Sequence, residues 1–203
     1  MRARLAGHDA SVQQPNHLRH IRIWLGIFIA GLVLSGLTAF PLVTELKWLT
    51  AAVHAGSIEP LAKSTGLLAW IEHVNEALAT TDTRYPFLAY GTDWLAFAHL
   101  VIAVAFIGPF IDPVRNKWII TFGLIACAGV IPLALIAGEV RGIPLAWRLI
   151  DCSFGVVGSV PLLICRRSIL ALEQETDQKE SADAIPKFQP SRRERQSAQG
   201  YHP

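Results

Sequence analysis

Ionisable residues are scarce in this chain, and four of those that lie beside or inside apolar runs fall in one stretch. Of its 203 residues, 52% are apolar and only 17% charged, so a charge beside or inside an apolar run calls for an explanation. The stretch 138–151 carries Glu139, Arg141, Arg148 and Asp151 between two long apolar segments. An arginine in such a place can grip a carboxylate or phosphate through its planar fork. A carboxylate held in a membrane-like interior can serve as an acid, a base or a proton relay. Arg148 and Asp151 are three residues apart, which puts them on one helical face, so they can pair with each other, and Arg148 can also snorkel to the outer head groups. Asp151 is followed by Gly155 and Ser159 at four-residue steps, with Gly158 beside them, so a close helix contact there would draw Asp151 inward.

His99 lies well inside an apolar run. Its imidazole can hydrogen-bond across helices, carry a proton, or ligate a metal or haem. The candidate polar site is therefore His99, Asp151, Arg148, Glu139 and Arg141, with His54, His73 and Asp93 as weaker members. No residue is assigned a catalytic role.

A zinc site from His54, His73, His99 and Asp93 has suitable ligand types, but nothing in their spacing demands one. Asp93 and His99 fall on different helical faces. A membrane haem commonly needs two axial ligands at matching depth. His54 or His73 could join His99 only if residues 44–92 fold back onto the bundle, and His17 and His20 belong to the other end. No cofactor or metal is expected, and haem or metal through His99 stands as the alternative. Cys127, Cys152 and Cys165 are isolated within or beside apolar runs, where a thiol packs as a small apolar side chain. GxGxxG, P-loop, GxSxG and HExxH patterns are absent. A net charge of +2 and a short Arg192-Arg193-Glu194-Arg195 run give no case for nucleic acid.

Apolar runs must position these residues. A helix needs roughly 20 apolar residues to cross a bilayer. Four runs qualify, at about 21–43, 94–111, 118–138 and 146–165. The first is too long for the core of a cleaved signal peptide and lacks a small-residue cleavage site. Gly26/Ala30 and Gly31/Ser35 give it small-residue faces. Asp112-Pro113 ends the second run, and the short turn to Lys117 makes the second and third antiparallel neighbours. Pro132 should kink the third. Arg166-Arg167 close the fourth.

Residues 44–93 form an acidic connection with helical character. Leu67, Ile71, Val74 and Leu78 recur on one face, which predicts an amphipathic helix of about three turns, broken by the Thr80–Thr83 cluster and Pro86. Residues 1–20 read as an irregular polar tail, and 166–203 as a largely disordered one in which the last helix runs on by a turn or two.

Lys and Arg concentrate before the first run, in the 112–117 turn and after the fourth. The tryptophans at run ends suit an interfacial belt. Both signals place the two termini in the cytoplasm of a bacterial-type inner membrane and the 44–93 connection outside it. The expected fold is an all-α bundle of four transmembrane helices with a partly helical extracytoplasmic loop. Three functions fit: binding of a lipid or small polar ligand at the outer polar site, a non-catalytic assembly subunit, or a haem-bearing electron-transfer subunit. The expected partners are the lipid bilayer and either a membrane partner or further copies of the chain.

Overall fold

A computed structural model describes residues 3–184, with side chains from 17 to 181. The protein is all-α, with no strand among the described residues. Its helices are α1 (Ala3–Ala39), α2 (Leu42–Ala55), α3 (Glu59–Ser64), α4 (Leu67–Arg84), α5 (Ala89–Ala105), α6 (Ile107–Ile111), α7 (Lys117–Val140) and α8 (Leu145–Ala184). A single 3-10 turn, Pro86–Leu88, joins α4 to α5.

Four segments are long and apolar enough to cross a membrane: His17–Ala39, Pro86–Ile111, Lys117–Val140 and Leu145–Ser181. They run alternately up and down. One end of the bundle holds the start of α1, the α6–α7 turn and the tail of α8. We call it the terminal end. The other holds α2–α4 and is called the cap end.

Two local features depart from the sequence reading at the terminal end. The segment 3–20 belongs to α1 rather than to an irregular tail. Leu18 and Ile21 pack against the core that Ile169 and Leu172 of α8 also enter, and His17 approaches Glu175 at 3.9 Å. Tertiary contact thus outweighs the Gly7 and Pro15 that read as breakers. The second difference is α8, which continues to Ala184. Leu162, Cys165, Ile169 and Leu172 are all buried at alternating three- and four-residue steps, so the apolar stripe runs straight past Arg166-Arg167 and keeps the helix attached. Residues 185–203 lie outside the described residues.

The α5–α6 break falls at Phe106. Pro109 has no N–H to offer the carbonyl of Ala105, and its ring crowds that carbonyl. Phe106 itself is fully buried. The turn to α7 is built by two side chains. The Asp112 carboxylate accepts from the Arg115 N–H at 3.1 Å, and Asn116 Nδ2 donates to the carbonyls of Asp112 and Gly108 at 2.9 and 3.2 Å. Pro132 and Pro161 lie within α7 and α8 without ending them.

Glycines set the helix seams. A Cβ at Gly36 would come within 2.9 Å of the Ala96 carbonyl, so α1 and α5 touch backbone to backbone there. A Cβ at Gly155 would meet the Cys127 carbonyl at 2.5 Å, which fixes the α7–α8 approach. Gly31, part of the small-residue face read from the sequence, has nothing within 4 Å of its would-be Cβ.

The main core consists of Ile21, Leu25, Phe106, Ile120, Leu162, Cys165, Ile169 and Leu172, and it reaches no further towards the cap than Leu32, Ile102 and Cys127. α1 packs along both α5 and α8, and α8 along α7, while α5 and α7 share no extended seam. The main core thus lies towards the terminal end of the bundle.

Candidate functional site

The stretch 138–151 folds as the end of α7, a tight turn and the start of α8. Gly142 takes φ +68°, a left-handed conformation natural to glycine. The Gly142 and Ile143 N–H groups bond back to the carbonyls of Glu139 and Gly138, which satisfies two carbonyls left over at the helix end. This hairpin turns the chain so that Arg148 of α8 lies across α7.

Arg148 does not pair with Asp151. Its Nη1 contacts the Glu139 carboxylate at 2.5 Å and donates to the Leu135 carbonyl at 3.3 Å. The reason is steric. Gly138 is buried and has no side chain, and a Cβ there would stand 2.5 Å from Arg148 Cδ and 2.7 Å from its Cγ. The arginine stem fills that notch and carries the guanidinium to the opposite helix. The Arg148 side chain is only 14% exposed, whereas that of Glu139 is 72% exposed. Arg148 Nε is buried without a hydrogen-bond partner among the described residues. The pair braces the hairpin and spends the charge that an anionic ligand would need. Arg141, at the end of α7, is exposed and outside this contact.

Asp151 is half-buried and has no ion-pair partner among the described residues. Asp151, Gly155, Gly158 and Leu162 follow one another at three- and four-residue steps, so they share one face of α8. Gly155 and Leu162 on that face are buried. Asp151 is therefore on the inward face of α8, on the cap side of the main core.

The other candidates do not join it in direct contact. His99 is half-buried, and its Nδ1 bonds the Leu95 carbonyl of its own helix at 2.8 Å rather than a neighbouring helix. Asp93 lines a shallow recess of about 250 Å³ with Phe40, Tyr90, Trp94 and Phe97. His54 belongs to the cap, where its Nδ1 faces Glu59 at 3.4 Å and its Nε2 faces Glu72 at 2.9 Å. His73 is exposed on α4, with its ring 6.0 Å from that of Trp70. Among the described residues, no three His, Cys, Asp or Glu side chains gather as a metal would require. The two carboxylates at His54 address opposite ring nitrogens and so do not converge on one point. The residues whose types suited a zinc site are distributed over separate contacts.

The cap is more ordered than the sequence predicts. Val53, Ala62, Leu68 and Ile71 form a core of their own, against which Leu67 and Trp147 pack. Trp147 belongs to α8, so the cap starts from α1 and rests on α8. α4 runs through the threonine cluster to Arg84 instead of breaking there. The Thr83 hydroxyl donates to the Ala79 carbonyl at 2.9 Å, so it bonds within its own helix instead of competing with it. Asn75, expected on the polar face, is half-buried, and its Oδ1 has no partner among the described residues.

Lys63 bonds Glu59 at 2.8 Å. This bond, with His54 nearby, holds the Glu59 carboxyl below its ordinary value of 4.5. The sequence contained the residues of this His54–Glu59–Lys63–Glu72 cluster. What it did not reveal was the α2–α3–α4 turn that brings them together.

The sequence matches no protein-family model, no curated protein and no solved structure.

Proposed function

We propose that this is a multi-pass membrane protein, with both termini in the cytoplasm of a bacterial-type inner membrane, that binds a lipid or similar small amphiphile at the cap end of its bundle. One observation carries the reading. Asp151 has a carboxylate without an ion-pair partner among the described residues, on the inward face of α8, on the cap side of the main core. An ionisable group inside a span costs roughly 3 kcal/mol on insertion scales, so it ordinarily has a partner. Arg148, the expected partner, is taken by Glu139. The group that complements Asp151 is then a donor or cation from outside the chain.

A phospholipid with an ammonium head group has the required chemistry. Its head would donate to Asp151 and its chains would fill the gap between α5 and α7. The half-buried His99 faces the same half of the bundle and offers its Nε2 as a second polar contact. The α2–α4 cap, bridging from α1 to Trp147, would cover the opening from the water side.

The test uses full-length protein extracted in mild detergent with phosphatidylethanolamine, and counts retained lipid by native mass spectrometry. A charge-assisted hydrogen bond contributes about 1.5–3 kcal/mol, so Asp151→Asn should lower retention about tenfold or more. Equal retention by both proteins would remove Asp151 from the site. Arg148→Met, which keeps the stem over Gly138, should leave retention unchanged.

A further inference from the structure

A recess lies at the terminal end, far from Asp151. It is an open groove of about 460 Å³ lined by Leu18, Arg19, Arg22, Ile23 and Phe110. Two cations and three apolar side chains line it, and no acidic residue does. Arg19 and Arg22 are three residues apart on α1 and so share a face. Neither has a carboxylate within ion-pair distance among the described residues.

The nearby acids are committed elsewhere. Glu173 binds Lys117 at 2.8 Å, Glu175 faces His17, and Asp112 accepts from the Arg115 backbone. Arg22 is also held in place, since its Nε donates to the Phe110 carbonyl at 3.3 Å. That carbonyl lies in the last turn of α6, where carbonyls lack intrahelical partners. The contact uses one of the five guanidinium N–H groups and leaves the terminal nitrogens for a ligand. Ile23 is 51% exposed and Phe110 37% exposed. They continue the groove from the arginines along the apolar surface of the bundle. A charged mouth that leads onto an apolar wall is the order of groups along a phospholipid.

We propose that this groove seats one anionic phospholipid, its phosphate bridged by Arg19 and Arg22 and one acyl chain lying along Ile23 and Phe110. Basic residues at a membrane surface attract anionic lipid. The anchored Arg22 and the apolar wall turn that general attraction into a defined seat. The proposal is independent of the Asp151 site, which differs in charge and lies at the other end of the bundle.

The experiment reconstitutes the full chain in vesicles of equal phosphatidylglycerol and phosphatidylcholine, extracts it gently, and measures the retained lipid by native mass spectrometry. The wild type should keep phosphatidylglycerol in about tenfold excess, and Arg19→Gln/Arg22→Gln should bring the two lipids to near parity. Arg115→Gln/Arg167→Gln removes the same charge outside the groove and should keep the excess. Ile23→Trp fills the groove without changing charge and should reduce the excess. If the Arg19/Arg22 variant fails to fold, Ile23→Trp decides alone. Unchanged preference in the Arg19/Arg22 and Ile23 variants overturns the proposal, and so does equal loss in the Arg115/Arg167 control. Millimolar inorganic phosphate that displaces the lipid equally from wild type and Ile23→Trp would mark a free-anion site and would also overturn it.

Discussion

At the scale of single residues, the structure depends on what glycine omits. Arg148 reaches Glu139 because Gly138 leaves a notch for its stem, and α8 lies on α7 because Gly155 lets a carbonyl approach. The sequence marked Arg148 and Asp151 as a pair on the strength of their spacing. Spacing along one helix says nothing of a glycine on the next, and the notch decided the partner. Gly155→Ala would push its new methyl into the Cys127 carbonyl. We expect a loss of about 1–3 kcal/mol, the usual cost of overpacking, measured by unfolding in mixed micelles. Gly129→Ala is the internal control, since nothing lies within 4 Å of its would-be Cβ. Its effect should stay within about 0.5 kcal/mol, as for ordinary surface changes.

At the scale of elements, the cap is the part that folds on its own terms. Its core of Val53, Ala62, Leu68 and Ile71 is separate from the main core. Ile71→Ala should cost roughly 2–5 kcal/mol, lost from the cap and not from the bundle. Hydrogen exchange should then show α2–α4 opening while α7 and α8 stay protected.

Acid should act on the same element. Glu59 has its folded-state value held below 4.5 by its bond to Lys63 and by His54. The stability it contributes is therefore present above about pH 4.5 and is lost as pH falls through the lower folded value. Cap melting followed through Trp70 fluorescence should shift down only below that point, and Glu59→Gln should flatten this dependence.

The amphipathic face of α4 was legible because Leu67, Ile71, Val74 and Leu78 repeat with helical period. Its length was not, because threonines that read as a breaker can bond back to their own helix, as Thr83 does. The same limit applies at the ends. Gly7 and Pro15 signalled an irregular start, but the contact of Leu18 and Ile21 with the tail of α8 carries the helix through.

At the scale of the whole molecule, four long apolar helices were evident from composition alone, since runs of that length have few alternatives. Their arrangement was not, because apolar runs of similar composition do not say which neighbour each prefers. The core at Phe106, Ile120 and Leu162 ties all four together towards one end, and the seams at Gly36 and Gly155 join α1 to α5 and α7 to α8 towards the other. The proposed ligand site draws on the separation of α5 from α7, which share no extended seam.

Paired spin labels on a background lacking Cys127, Cys152 and Cys165 measure it directly. Ile107 with Trp118 reports the terminal end and Trp94 with Ile136 the cap end, and all four side chains are exposed. Helices in contact keep axes about 8–10 Å apart. The account predicts a short Ile107–Trp118 distance and a clearly longer Trp94–Ile136 distance for the ligand-free protein in bilayers. Equal distances at both ends would mean that α5 and α7 run side by side throughout, and would contradict it.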